Sequence, residues 1–589
     1  FQSGHLWRNL EGSGWELAAD LDSILPWAAV RYGSSFGDYN ADGLPDIATE
    51  PRVGGGDDCL HILRNLGGGP FFEDIATNPA LLDYQPCGTM SETICWADVD
   101  GDLDLDMFFP TYPDFGSSDN QFLHNRGPTG PSGQFRFTEE SEQAGLKIPA
   151  GADRPEGCQF LDTDGDGDLE LYSNGHLYRN LSTIDQPLFE FLKASSSGIR
   201  LRAITDEGAL FLDHDMDGDY DLLVSYTSGR GVRLWESQGD GTFMPAPLDL
   251  IQDYQTGASY GLSAADWDMD GDIDFLALDT FRRNILLESG RPGFLLAETS
   301  IPWDDLRGAA PAWADWDKDG DPDLAVANGH FPSYLFQNDT YGASTPPQEK
   351  RYLRIRPYRE SLSVPRGLET EFGASVEIQL EGVHSVTTDD GLRRKRFTSS
   401  AAGYINQDEY VLGFALPEDP EPEIAEIDVD FSLAVDFPNL PEQGFWRVDR
   451  FVNPALANIN LASLEGPQEV SVSRAGTVVI NGCPLVPNPP PDPTLVTSTG
   501  GLITPTQSVG LDDPVAPPSS RQFAGIEITT SPSSHPLLVK EVILDGMPGP
   551  AVEYGAAGAA ANLVLWDVTD PTQPNVADHG AMALPIHPR

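Results

Sequence analysis

Short apolar or alternating runs separated by turn-forming residues recur through the first 345 residues, a pattern that predicts β-strands. AWA at 312–314 and LAVA at 324–327 bracket one polar loop, and four alternating segments stop on an asparagine: HILRN at Asn65, QFLHN at Asn125, HLYRN at Asn180 and YLFQN at Asn338. Several of these segments run into a glycine-rich turn and a phenylalanine, as in GDGTF from Gly239 to Phe243. Residues 352–431 alternate again, from YLRIR through ASVEIQL to EIDVDF. From Cys483 to Ser520 proline dominates, as in an extended linker. Alternation returns over 521–589 in GIEIT, LLVKEVIL and NLVLW. The chain reads as all-β.

Polar positions between the early strands carry the chemistry. Six nine-residue loops hold acids spaced two apart: DYNADGLPD from Asp38, DVDGDLDLD from Asp98, DTDGDGDLE from Asp162, DHDMDGDYD from Asp213, DWDMDGDID from Asp266 and DWDKDGDPD from Asp315. Carboxylates crowded this way repel one another, and a hard divalent cation with oxygen ligands reverses that preference. About six Ca2+ sites are expected. Their ligands by register are Asp38, Asn40, Asp42, Leu44 and Asp46 in loop one, and Asp98, Asp100, Asp102, Asp104 and Asp106 in loop two. Loop three supplies Asp162, Asp164, Asp166, Asp168 and Glu170, and loop four Asp213, Asp215, Asp217, Asp219 and Asp221. Loop five supplies Asp266, Asp268, Asp270, Asp272 and Asp274, and loop six Asp315, Asp317, Asp319, Asp321 and Asp323. Position 7 is expected to offer its backbone carbonyl. An EF-hand needs an acid at position 12, where these loops have Thr49, Phe109, Ser173, Val224, Ala277 and Val326, and the flanks are strands. Loop one, with Asn40 and Leu44, carries fewer charges, and loop two has Leu103 where the others have glycine.

The first aspartates step by 60, 64, 51, 53 and 49 residues, and periods near fifty with four short strands each suggest propeller blades. Loop and asparagine signature together resemble the FG-GAP or VCBS repeat family, which includes the integrin α-chain head. The resemblance implies a calcium-binding β-propeller over 1–345, of seven blades with six as the alternative. HLWRN at 5–9 and WELA at 15–18 match the second half of a blade, either completing the one that holds the Asp315 loop or belonging to a seventh. Residues 346–482, with FGASV at 372–376, SAAGYINQ at 400–407 and VLGFA at 411–415, are similar to the ASPIC/UnbV domain that follows such repeats in the cartilage acidic protein family. An Asn-Arg pair before the first glycine and a Trp-Pro-x-Gly near the end of that pattern are missing here. A Pro-rich linker over 483–520 and a small β-domain over 521–589 complete the expected order, with β-sandwich-like domains after the propeller. Neither resemblance implies enzymatic activity.

Net charge is −57, from 92 acids against 35 Lys and Arg, and six divalent ions would offset only part of it. Such acidity repels nucleic acid and anionic membranes. RRKR at 393–396 is the only basic run, readable as a cleavage site or a docking patch, but more economically as a solvated strand face. AAGAAA at 556–561 is too short to span a bilayer. Five cysteines allow at most two disulfides; Cys87–Cys95, Cys95–Cys158 and Cys59–Cys87 are open pairings, with Cys483 the natural one left over. The sequons at Asn180 and Asn338 coincide with the turn asparagines, so glycosylation competes there with a structural role. No HExxH and no Gly-x-Ser-x-Gly elbow occur. Trp267 and Trp316, at loop position 2, read as fillers between blades or as sugar-stacking rings. The expected protein is secreted or on the cell surface, non-enzymatic, and adhesive or structural. Its partners would be other copies of itself, joined by strand addition into a matrix or filament, or extracellular protein or glycan ligands bound by a lectin-like face.

Overall fold

The computed structural model describes the chain from His5 to Phe431 apart from segments between elements, then strands at 451–452, 459–460, 468–473, 478–480 and 483–484, and four two-residue strands between 495 and 576. It divides into two compact units, Phe1–Pro489 and Pro490–Arg589, so the dividing point falls inside the Pro-rich stretch. In the second unit Leu495–Val496 pairs with Leu502–Ile503, and Trp566–Asp567 with Asn575–Val576. The expected strands at 525–529 and 537–544 lie outside the described residues.

The first unit opens with a hairpin of β1 (His5–Asn9) and β2 (Trp15–Asp20). Six antiparallel sheets follow. Sheet one contains β3 (Arg31–Gly37), β4 (Asp46–Pro51), β5 (His61–Asn65) and β6 (Phe72–Asp74). Sheet two has β7 (Cys95–Ala97), β8 (Asp106–Phe109), β9 (Gln121–Thr129) and β10 (Gln134–Glu139). Sheet three has β11 (Cys158–Leu161), β12 (Glu170–Ser173), β13 (His176–Asn180) and β14 (Phe189–Leu192). Sheet four has β15 (Asp206–Leu212), β16 (Asp221–Tyr226), β17 (Gly231–Ser237) and β18 (Phe243–Pro245). Sheet five has β19 (Leu262–Ala265), β20 (Asp274–Ala277), β21 (Thr280–Asn284) and β22 (Phe294–Leu296). Sheet six has β23 (Ala309–Ala314), β24 (Asp323–Asn328) and β25 (Tyr334–Phe336). Each acidic loop is the connection between the first and second strands of its sheet, and its position 9 opens the second strand.

Sheets two to five are apolar on both faces because each is packed between two others. All six residues of β16 are buried. One cluster joins Ala48 and Ile62 of sheet one to Trp96 and Phe109 of sheet two, and the next joins Phe108 and Phe122 to Phe160 and Leu171 of sheet three. The series continues through Tyr172 with Phe211, Leu234 with Phe275, and Leu276 with Trp313. The hairpin touches both ends of this series. Ala19 packs with Ile47 and Leu63 of sheet one, while Trp15 meets Trp316 of loop six edge-on at 5.4 Å. Because β1 pairs with β2 and sheet six has its own third strand, the hairpin does not complete the sheet that holds the Asp315 loop.

Beyond sheet six come β26 (Tyr352–Glu360), β27 (Leu368–Thr370), β28 (Ser375–Glu381), β29 (Leu392–Phe397), β30 (Leu412–Ala415) and β31 (Glu423–Asp430). They form two sheets, one around β26 and one around β28, sharing a core of Ile355, Val376, Ile378, Phe414 and Val429. Met216 of loop four and Leu286, in the short helix Leu286–Ser289 between β21 and β22, enter this same core, so the later sheets pack on the earlier ones.

The stretch between β29 and β30 lies against the first strand of all six sheets. Gln407 makes two bonds with Phe36 of β3, accepting its N–H at 2.9 Å and donating to its carbonyl at 3.0 Å. The Ser400 hydroxyl does the same for Trp96 of β7, at 2.7 and 2.9 Å. The Gln159 side chain on β11 donates to the Ala401 carbonyl at 2.9 Å, and Ala209 of β15 donates to the Gly403 carbonyl at 3.3 Å. Gly403, at φ +83°, sits against the Leu262 carbonyl of β19 with no space for a Cβ. On β23, Trp313 donates to Asp408 at 2.8 Å and accepts from the Glu409 N–H at 3.0 Å. A first strand has one unpaired edge, and unpaired buried backbone groups are costly. Here the 399–410 segment supplies the missing partners.

Cysteines 59 and 87 are bridged, as are 95 and 158, the second bond joining the first strands of sheets two and three. Two of the three open pairings are therefore realised and Cys87–Cys95 is not. No helix among the described residues is long and apolar enough to cross a membrane.

Candidate metal centre

All six loops share one backbone path. Position 4 has φ between 52° and 76° and position 6 between 76° and 109° in every copy. Glycine fills position 6 except at Leu103, as the sequence suggested. At position 4 the left-handed residue is non-glycine in four copies, Ala41, Met216, Met269 and Lys318, and glycine in two, Gly101 and Gly165, and sequence reading missed it. The two left-handed residues turn the loop over its first carboxylate. Asp98 accepts the N–H groups of Gly101 and Leu103 at 2.9 and 3.0 Å, and Asp162 those of Gly165 and Gly167 at 2.7 and 3.0 Å.

Position 5 accepts the N–H of position 7 in every loop, from Asp42 with Leu44 at 3.0 Å to Asp319 with Asp321 at 3.4 Å. Position 7 side chains reach outward. Asp272 accepts the Leu287 N–H at 3.0 Å, Asp321 accepts that of Tyr341 at 2.5 Å, and Asp104 and Asp219 lean over Gly127 and Gly239. Position 9 ties the loop to its sheet. One oxygen of Asp46, Asp106, Asp221, Asp274 and Asp323 accepts the N–H at the end of the third strand at 2.7–2.8 Å, and Glu170 does so at 3.5 Å.

The repeated asparagine at or near the end of the third strand links neighbouring sheets. Asn125 donates to the Tyr39 carbonyl of loop one at 2.8 Å, Asn180 to Val99 of loop two at 2.9 Å, Asn284 to His214 of loop four at 2.8 Å, and Asn338 to Trp267 of loop five at 2.7 Å. Asn9 of the hairpin donates to Trp316 of loop six at 2.5 Å. In every case the acceptor is position 2 of the preceding loop. Asn180 and Asn338, the sequon asparagines, thus spend the amide nitrogen that a glycan would occupy. Trp267 packs edge-on against Phe281 at 5.3 Å in the core between sheets five and six, the space-filling role.

After these structural bonds, buried oxygens remain without a hydrogen-bond donor in every loop: Oδ1 of Asn40, both oxygens of Asp100, Oδ1 of Asp164, Oδ1 of Asp213 and Asp215, both oxygens of Asp266, and Oδ1 of Asp321. Convergent donor atoms within 4.8 Å of one another occur in Asp162–Asp164–Glu170, Asp213–Asp215–Asp217 and Asp266–Asp268–Asp274. Burial first and neighbouring carboxylates second push Asp102 up to about 10 and Asp270 up to about 9. Burial likewise raises Glu170 and Asp321 to about 8. Such groups hold a proton unless a cation replaces it, and the donor set is the all-oxygen kind that suits a hard divalent ion.

The basic run is only partly solvated, with Arg393 43% exposed and paired with Glu377. Arg394 is buried, the Lys395 ammonium donates to the Gly218 carbonyl of loop four at 3.0 Å, and Arg396 lies 3.7 Å from Asp266 of loop five. Arg354 of β26 pairs with both Asp315 of loop six and Glu409. The acidic surface that this patch docks on is the chain's own.

Comparison with known proteins gives a short family match. Residues 213–277, which contain loops four and five, match the FG-GAP-like repeat. No curated protein matches the chain in sequence. Among solved structures, an Agrocybe aegerita lectin recognising non-reducing terminal N-acetylglucosamine is similar at 14% identity and TM-score 0.36, over 58% of this chain and 89% of that one. A Bacillus licheniformis rhamnogalacturonan lyase is similar at 11% identity and TM-score 0.30, over 53% of this chain and 61% of that one. A V. cholerae biofilm matrix protein is similar at 11% identity and TM-score 0.26, over 72% of this chain and 66% of that one. What these findings establish is an all-β chain that carries an FG-GAP-like repeat at 213–277.

Proposed function

We propose that this chain is a secreted, calcium-stabilised β-propeller of seven blades that works by adhesion or as a structural subunit, without enzymatic activity. The observation that carries the calcium reading is the recurrence, in all six loops, of a buried side-chain oxygen with no donor. Buried acceptors are ordinarily hydrogen-bonded, and a cation with oxygen ligands accounts for the recurrence of these unpaired ones. Seven blades are supported by the asparagine relay from the hairpin to loop six and by the packing of that hairpin on sheet one. Two disulfides support an oxidising compartment, where calcium is plentiful.

Assembly is supported by the hairpin itself. Among the described strands β1 pairs only with β2, and Trp7, Trp15 and Leu17 are 53%, 41% and 48% exposed. A two-stranded sheet is marginal in water alone and is stabilised by added strands. The test is light scattering and electron microscopy of the purified chain with calcium. Ordered polymers or dimers that disperse on Trp7→Ser support assembly. A monodisperse monomer retained on a glycan array supports the lectin-like alternative instead.

A further inference from the structure

In sheets two to six the residue just before the repeated asparagine, or before Ser237 in sheet four, faces position 3 of its own acidic loop. Arg283 lies 3.7 Å from Asp268, and Gln337 donates to Asp317 at 2.6 Å. Arg179 lies near Asp164 and Glu236 near Asp215, whereas Arg64 of sheet one lies near Asp42 at position 5. Sheet two alone has an imidazole there. His124 on β9 has no solvent exposure, and its Nε2 lies 3.2 Å from Asp100 Oδ2, which is equally buried. Nε2 and both oxygens of Asp100 nevertheless have no hydrogen-bond partner. The other ring nitrogen, Nδ1, lies 3.1 Å from Glu140, which also pairs with Arg126.

We propose that loop two is a mixed imidazole–carboxylate site for a first-row transition ion, of which zinc is the probe, formed by His124 Nε2, Asp100 and Asp102. The donor atoms of these three residues lie within 4.8 Å of one another. A 3.2 Å separation between Nε2 and Oδ2 that makes no hydrogen bond is close to what two ligands of one ion require, since each would sit at about 2.0–2.2 Å from zinc. Glu140 occupies the outer position that a metal-bound histidine ordinarily gives a carboxylate, holding the proton on Nδ1 and leaving the Nε2 lone pair for the ion. Imidazole suits zinc, whereas calcium takes oxygen ligands. Asp102, partly exposed, gives the side of entry. The inference rests on the loops being cation sites, but assigns this one to a different ion.

The test uses the full chain in millimolar calcium. Zinc titration by calorimetry is expected to show one tight equivalent that calcium does not displace. His124→Gln, which places in sheet two the residue that sheet six has, should lower zinc affinity by at least the roughly 10–100-fold that loss of an outer partner costs, and Glu140→Gln by about that range. Both should keep the rise in melting temperature that calcium produces. Equal zinc affinity in wild type and His124→Gln overturns the site. X-ray absorption of the zinc-loaded wild type reads the imidazole without any variant, and a spectrum lacking imidazole scattering overturns it too. If calcium leaves the melt unchanged while zinc binds through His124, the calcium reading fails and this one stands.

Discussion

At the residue scale, the loops ask for two left-handed positions, and only one of them was legible. Position 6 announced itself by glycine in five of six copies, whereas position 4 holds Ala41, Met216, Met269 and Lys318, residues that signal nothing about φ. Their strain is held by the hydrogen bonds that fold the loop over its first aspartate. Leu103 is the outlier at position 6, at φ 76°. A non-glycine residue there costs roughly 1–2 kcal/mol, and glycine returns about 0.5–1 kcal/mol of that as unfolded-state entropy. Leu103→Gly is therefore expected to stabilise the protein by up to about 1 kcal/mol, measured by urea unfolding in calcium. A lower midpoint would show that the leucine side chain contributes packing that outweighs the strain. The residue before each strand-ending asparagine was equally silent, because Arg, His, Glu and Gln share no pattern until the sheet places them beside position 3.

At the element scale, the sequence carried the strand order. Loop position 9 starts the second strand of every sheet, and the repeated asparagine ends the third in sheets one, three and five, follows it in sheet six and lies inside β9 in sheet two. What that asparagine does was not readable, since its partner lies 70 to 86 residues away on the previous loop. Asn125→Ala removes donors to the Tyr39 and Leu105 carbonyls, both buried. The expected cost is about 1–3 kcal/mol, with the calcium response retained. A change under about 0.5 kcal/mol in chemical unfolding would mean that water replaces the amide. The 399–410 segment was invisible for the same reason of distance. Ser400 bonds Trp96 across 304 positions and Gln407 bonds Phe36 across 371. Ser400→Ala leaves both backbone groups of Trp96 without that partner and should cost a similar amount, with hydrogen exchange at β7 accelerated. Unchanged protection there would argue against the segment as the partner of the first strands.

At the scale of the whole molecule, the acidity was evident from composition but its distribution was not. Buried acids are balanced in part by Arg354, Arg394 and Arg396, which come from the later sheets, so loops five and six meet cations of the chain itself. The rest fixes the pH behaviour. In the metal-free protein the loop carboxylates have folded pKa values raised above the unfolded ones: about 6 for Asp162 and Asp217, about 8 for Glu170 and Asp321, about 9 for Asp270. Burial is the first cause in each. A raised value means that protonation favours the folded state. That contribution is full below the unfolded pKa near 4 and is lost as pH rises through 6 to 9. Calcium inverts the sign, because a bound cation stabilises the charged carboxylates and depresses their pKa. Its contribution is present at high pH and is lost as protons return. In EDTA the melting temperature should therefore fall from pH 5 to pH 9, while in millimolar calcium it should hold or rise. The gap between the two curves widens with pH, and each site saturated a hundredfold above its Kd adds about 2.7 kcal/mol. Differential scanning calorimetry across that window decides the matter. Parallel curves would mean that these carboxylates are neutralised by the arginines and by one another's protons, and that the loops hold the fold without an ion.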